Sequence, residues 1–116
     1  MTLEQCYAQM GADYAAVLKR FYDPDMICRF VKRFPSDPSF GQLKAAMAAG
    51  DVKEAFRAAH TLKGVAQNLG FQKLYLSSAA LTEALRGPKP LTDPALREAV
   101  AMDQAALLTA IQELEG

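Results

Sequence analysis

The sequence predicts an all-α fold, an up-down antiparallel four-helix bundle preceded by short additional helices at the N-terminus. Three observations predict it. Alanine and leucine are abundant, and no stretch alternates apolar and polar residues as a half-buried strand would. Helix start signals recur along the chain, and each is followed by a glycine or proline stop. The segments between stops and starts are short, which makes successive helices antiparallel neighbours.

The elements follow in order. Thr2 with Gln5 has the form of a capping box, and the helix it opens ends near Gly11. A second helix runs from about Asp13 to Tyr22, with Tyr14, Val17, Leu18 and Phe21 on one stripe. Asp23-Pro24 joins an N-cap to a proline at the first helical position. That helix carries Ile27, Phe30, Val31 and Phe34 and stops at Pro35. Ser36-Asp37-Pro38 repeats the signal and opens a helix through Leu43, Ala46 and Met47 that closes at Gly50. Asp51 caps the next helix, which runs to about Leu69 with Gly70 as its stop. Another extends from just after Gly70 to Arg86, and Gly87-Pro88-Lys89-Pro90 is a loop. Thr92-Asp93-Pro94 starts the last helix, which reaches nearly to the C-terminus.

Composition narrows the function classes. The 116 residues suit a single domain over 1–116, with a core bundle over about 24–115. With 51% apolar and 22% charged residues, the chain is globular, and no apolar run is long enough to span a bilayer. Met1-Thr2-Leu3-Glu4-Gln5 lacks the basic and apolar regions of a secretory signal, so a cytoplasmic protein without a membrane partner is expected. Thirteen basic residues balance thirteen acidic ones, which argues against nucleic acid as the partner. Cys6 and Cys28 show no CxxC spacing and are read as buried or half-buried thiols. One histidine is too few for an ordinary zinc site, and the sequence has no carboxylate cluster, phosphate-cradling loop or nucleotide site, so no metal and no cofactor of the chain's own is expected. The pattern forces no large exposed apolar stripe, and a monomer is expected.

The helix from Asp51 to Leu69 carries the chemistry. Val52, Ala55, Ala59, Leu62, Ala66 and Leu69 recur at spacings of three and four and form a core seam. At about 100° per residue, His60 lies roughly 135° from the centre of that seam, on the solvent side. A core histidine is disfavoured, because the seam is filled without it. Gly64 stands one turn later on the same face, and a glycine inside a helix costs roughly 0.5–1 kcal/mol relative to alanine. Since it points away from the seam, its use is to keep side-chain bulk off the imidazole. Lys63, three residues after His60, can bring its ammonium to an anionic group at that ring. Lys53 and Arg57 precede His60 on nearly the same face and Gln67 follows it, so the stripe is mildly basic and suits an acidic partner surface. Phe56 falls between seam and exposed face, at the core's edge and beside the histidine.

The run His60-Thr61-Leu62-Lys63-Gly64-Val65-Ala66-Gln67-Asn68-Leu69-Gly70 resembles the signature of histidine-containing phosphotransfer (HPt) domains, H-x-L-K-G followed by Leu-Gly. Gly50-Asp51, Ala58-Ala59 and the run from Leu81 to Arg86 agree with it, and the resemblance covers about residues 10 to 115. It implies a four-helix bundle whose exposed His60 takes a phosphoryl group from a receiver-domain aspartyl phosphate and passes it to another receiver. Lys63 would hold phosphoryl oxygens and Gly64 would give access. The implied partners are response-regulator receiver domains and a hybrid histidine kinase, with Mg²⁺ on the receiver. Many members carry Gln or Glu on the following helix to hydrogen-bond the imidazole. Here the aligned position is Thr82, and an acidic residue comes one later at Glu83, so either the register shifts by one to Glu83, or Thr82 takes the role, or His60 is oriented another way. The implied function is a phosphoryl carrier without ATP-dependent kinase activity. A module of the same shape that docks on receivers or kinases without phosphotransfer is the alternative.

Overall fold

The computed structural model describes residues 1–115. Among them are seven α-helices and no strand: α1 (Leu3–Met10), α2 (Tyr14–Phe21), α3 (Pro24–Arg33), α4 (Ser39–Ala49), α5 (Val52–Asn68), α6 (Gln72–Ala84) and α7 (Pro94–Glu115). A single 3₁₀ turn, Phe34–Ser36, joins α3 to α4. None of these helices is long and apolar enough to cross a membrane.

The starts are built as the side chains dictate. Thr2 and Gln5 form both bonds of a capping box at α1. Asp13 accepts from the Ala16 amide, Asp23 from Asp25 and Asp51 from Glu54, each satisfying an amide that the first turn leaves unpaired. The start of α4 differs from the sequence reading. Pro24 sits in the first turn of α3, but Pro38 precedes α4 as its cap. The 3₁₀ turn intervenes, and the Asp37 carboxylate reaches the Ser39 amide at 2.8 Å.

Four helices, α4 to α7, pack in sequence as neighbours. The connection Gly50-Asp51 and the turn Leu69-Gly70-Phe71 are too short for anything but antiparallel pairs. Helix α5 is buried on Ala55, Ala59, Leu62 and Ala66, the predicted seam, with Ala58 added because α5 packs against both α4 and α6. At 22 residues, or about 33 Å, α7 runs most of the molecule's 40 Å length and supports α1 and α3 as well as α6. Cys6 is buried and Cys28 half-buried, both as free thiols.

Three hydrogen-bonding contacts fix the N-terminal helices to the C-terminal end of α5. Tyr7 Oη donates to the Leu69 carbonyl at 2.7 Å. The Asp13 amide donates to the Gly70 carbonyl at 2.9 Å. Arg20 Nη1 donates to the carbonyls of Gln67 and Asn68 at 2.9 and 2.7 Å, a cation placed at the negative end of the helix dipole. The Tyr7 ring meets Tyr14 edge-on at 5.4 Å and lies 5.9 Å from Phe71. Burial pushes the Tyr7 phenol well above its ordinary range, so it stays a neutral donor. Tyr7→Phe is expected to lower stability by about 1–2 kcal/mol, because the Leu69 carbonyl loses a partner inside the fold. A urea melt checks this, with a lower midpoint at unchanged slope as the expected result.

Candidate functional site

His60 is exposed at the middle of α5, on the side opposite the Ala-Leu seam. Lys53, Arg57, Gly64 and Gln67 are exposed along the same helix. Lys53, Glu54, Phe56, Arg57 and His60, with Arg86 from the end of α6, line an open cavity of about 510 Å³. Three cations and one carboxylate line it, with Glu54 paired to Arg57 at 3.3 Å and Arg86 paired to Glu83, outside the lining, at 2.8 Å, which leaves a small basic excess. The protein is neutral overall, so this face is basic by arrangement and not by composition.

Beyond His60 the surface opens again. Arg20, Thr61, Gly64, Val65, Gln67 and Asn68 line a second open depression of about 500 Å³. A Cβ built on Gly64 would meet nothing within 4 Å. Packing therefore gives no reason for a glycine at this position, and neither does backbone conformation, since Gly64 is not among the glycines with positive φ. Gly64→Ala is expected to raise stability by about 0.5–1 kcal/mol through helix propensity alone. A thermal melt tests this, and a loss of stability would mean that the position is crowded after all.

Lys63 is half-buried on the α6 side, close enough to Glu83 for its charge to be felt there. Glu83 is exposed, and both its oxygens are taken by Arg86, with Nε to Oε2 at 3.0 Å and Nη2 to Oε1 at 2.8 Å. That fork, with the nearby charges of Arg86 and Lys63, holds the Glu83 carboxyl below its ordinary range. Thr82 is a correction to the sequence reading. It is fully buried, and its hydroxyl donates to the Ser78 carbonyl at 2.7 Å, so it is not presented to a partner and makes its bond within its own helix. One residue along a helix is a rotation of about 100°, and α6 turns Leu81, Thr82 and Leu85 inward while Glu83 and Arg86 face out.

Sequence reasoning did not single out Glu54, which pairs with Arg57, nor Arg86 or Arg20. Arg86 lies with its guanidinium carbon 5.3 Å from the centre of the Phe56 ring. Its local signal was the Glu83-to-Arg86 spacing of three, which suits a helical ion pair. Arg20 had no local signal, since its partners Gln67 and Asn68 lie nearly fifty positions away. The Phe56 ring stacks on the imidazole at 6.2 Å between centroids and 28° between planes. No group of three or more His, Cys, Asp or Glu side chains that could hold a metal ion occurs among the described residues.

The fold and this face define a class: an all-α bundle that presents its one histidine on an open, basic helix surface. The family model for the Hpt domain matches residues 30–116, well over half of the chain, and the chain belongs to that family. Hpt domains serve as phosphocarriers in phosphorelays and have no kinase activity of their own. No curated protein and no solved structure gives a significant match.

Proposed function

We infer that the protein is a histidine phosphotransfer intermediate, in which His60 accepts a phosphoryl group from a receiver-domain aspartyl phosphate and passes it to the aspartate of another receiver. The observation that carries this reading is the exposure of the chain's one histidine beside a helical glycine that no packing explains. An imidazole nitrogen attacks the phosphorus in line. A nitrogen–phosphorus bond forms as the acyl-phosphate oxygen–phosphorus bond breaks, and the receiver's carboxylate leaves with the electron pair. Return to a second receiver runs the same exchange backwards.

Charge accumulates on the equatorial phosphoryl oxygens. Lys63 supplies a nearby cation, and Lys53 and Arg57 make the approach favourable for an acidic receiver surface. Mg²⁺ bound by the receiver would supply the larger share of the stabilisation. Gly64 leaves room for the partner's backbone, and Gln67 extends the contact surface one turn further. Gly64→Leu should slow transfer while leaving the fold intact, because the added side chain projects into open space toward the partner.

The test is incubation of the full chain with phosphorylated receiver domains. Acid-labile, alkali-stable phosphate on the protein is the expected result. If no receiver of its organism transfers phosphate while receivers still bind, the protein is instead a docking module of the same shape.

A further inference from the structure

For transfer, the imidazole must present one nitrogen to an incoming phosphorus within narrow angular limits, and misplacement by an ångström is costly. An exposed side chain on a helix otherwise hops between rotamers. Among the described residues no side chain of α6 hydrogen-bonds this ring: the Thr82 hydroxyl donates to the Ser78 carbonyl, and the Glu83 carboxylate accepts from Arg86.

The ring does have an aromatic neighbour. Phe56 lies one turn before His60, the spacing at which side chains on one helix meet. Its ring stacks on the imidazole at 6.2 Å and 28°, within the range of offset aromatic pairs. Phe56 is itself restrained on two sides. Part of it packs against the core, and the Arg86 guanidinium sits 5.3 Å from its centre. Arg86 is fixed by the two-pronged bond to Glu83. A continuous series Glu83–Arg86–Phe56–His60 thus runs from α6 onto the reacting face of α5.

We propose that Phe56, backed by the Glu83–Arg86 pair, is the positioning residue for the His60 imidazole, doing by stacking what a hydrogen bond from the second helix would otherwise do. This rests on the reading of His60 as the carrier. Stacking fixes the plane of the ring while leaving its nitrogens free for phosphorus and for solvent. It also assigns Glu83 a part: it anchors Arg86 and does not contact the imidazole.

The experiment measures phosphate uptake by the full chain as a function of phosphorylated receiver concentration, together with the order of the His60 ring by NMR relaxation. The variants are Phe56→Leu, Phe56→Tyr and Arg86→Gln. Phe56→Leu should lower the maximal rate roughly three- to tenfold, the range an aromatic pair corresponds to. The half-saturating receiver concentration should be unchanged and the ring should become more mobile. Phe56→Tyr, which keeps the stack, should recover most of both losses, and Arg86→Gln should fall between. Arg86 is exposed, so that variant tests the series without disturbing the core. If Phe56→Leu raises the half-saturating concentration alone, with maximal rate and ring order intact, Phe56 is a docking residue and the proposal is overturned. The two failures are distinguishable. Absence of uptake by the wild-type chain defeats the carrier reading, whereas normal wild-type uptake with an unchanged maximal rate in Phe56→Leu defeats the positioning role alone.

Discussion

His60→Gln is expected to abolish uptake of acid-labile phosphate from phosphorylated receivers and to leave the fold standing. Glutamine keeps polarity and approximate size, but its amide nitrogen has no free lone pair to attack phosphorus. The loss should be complete within detection, because His60 is the chain's only histidine and no second imidazole can substitute. Stability should change by less than about 1 kcal/mol, since the residue is exposed and the stack on Phe56 is its visible attachment. Labelling followed by acid and alkali treatment reads the first expectation, and circular dichroism melting reads the second. Acid-labile phosphate retained on the variant would move the carrier to another residue. A collapse of helicity would mean that α5 does not present this face to solvent.

The parts of the molecule legible in the sequence are those fixed by neighbours along the chain. Asp51 and the Ala-Leu seam define α5, and the angle between that seam and His60 needs only the helical repeat. The absence of any reason for Gly64 other than openness is likewise a local inference, and a Cβ there meets nothing. What was not legible depends on how one helix is rotated against another. The choice between Thr82 and Glu83 is a choice between two faces of α6, and the sequence pattern around Ser77–Ser78 and Thr82 leaves that rotation undecided. The structure turns Thr82 into the core, where its hydroxyl bonds back to Ser78 and needs no outside partner. Arg86 became part of the site for the same reason, because the outward face that carries Glu83 also carries the residue three positions on. The hold of Arg20 on the end of α5 is non-local, and no periodicity could announce it.

Gly70→Ala is expected to be the most destabilising glycine-to-alanine change among the described residues, lowering stability by about 2–5 kcal/mol. Two costs add. Gly70 has φ +70°, a left-handed conformation that costs an alanine about 1–2 kcal/mol. A Cβ there would also lie 2.8 Å from the Asp13 carbonyl oxygen and would collide with Val17, and forcing atoms into a packed contact costs about 1–3 kcal/mol. The backbone cannot retreat cheaply, because the Gly70 carbonyl accepts from the Asp13 amide at 2.9 Å and the neighbouring Leu69 carbonyl accepts from Tyr7. Gly50→Ala is the control. Gly50 has nearly the same φ, +69°, but open space where its Cβ would be, so it should show the conformational cost alone. Equal losses at the two positions would mean that the α5–α6 turn is not clamped against α2. The larger loss at Gly70 should act on stability and not on chemistry. Gly70 lies ten residues beyond His60, about 15 Å along the helix, outside both the basic cavity and the Phe56 stack. Below its melting transition, Gly70→Ala should therefore still take up phosphate on His60, separating the residue that secures this helix from the residue that uses it.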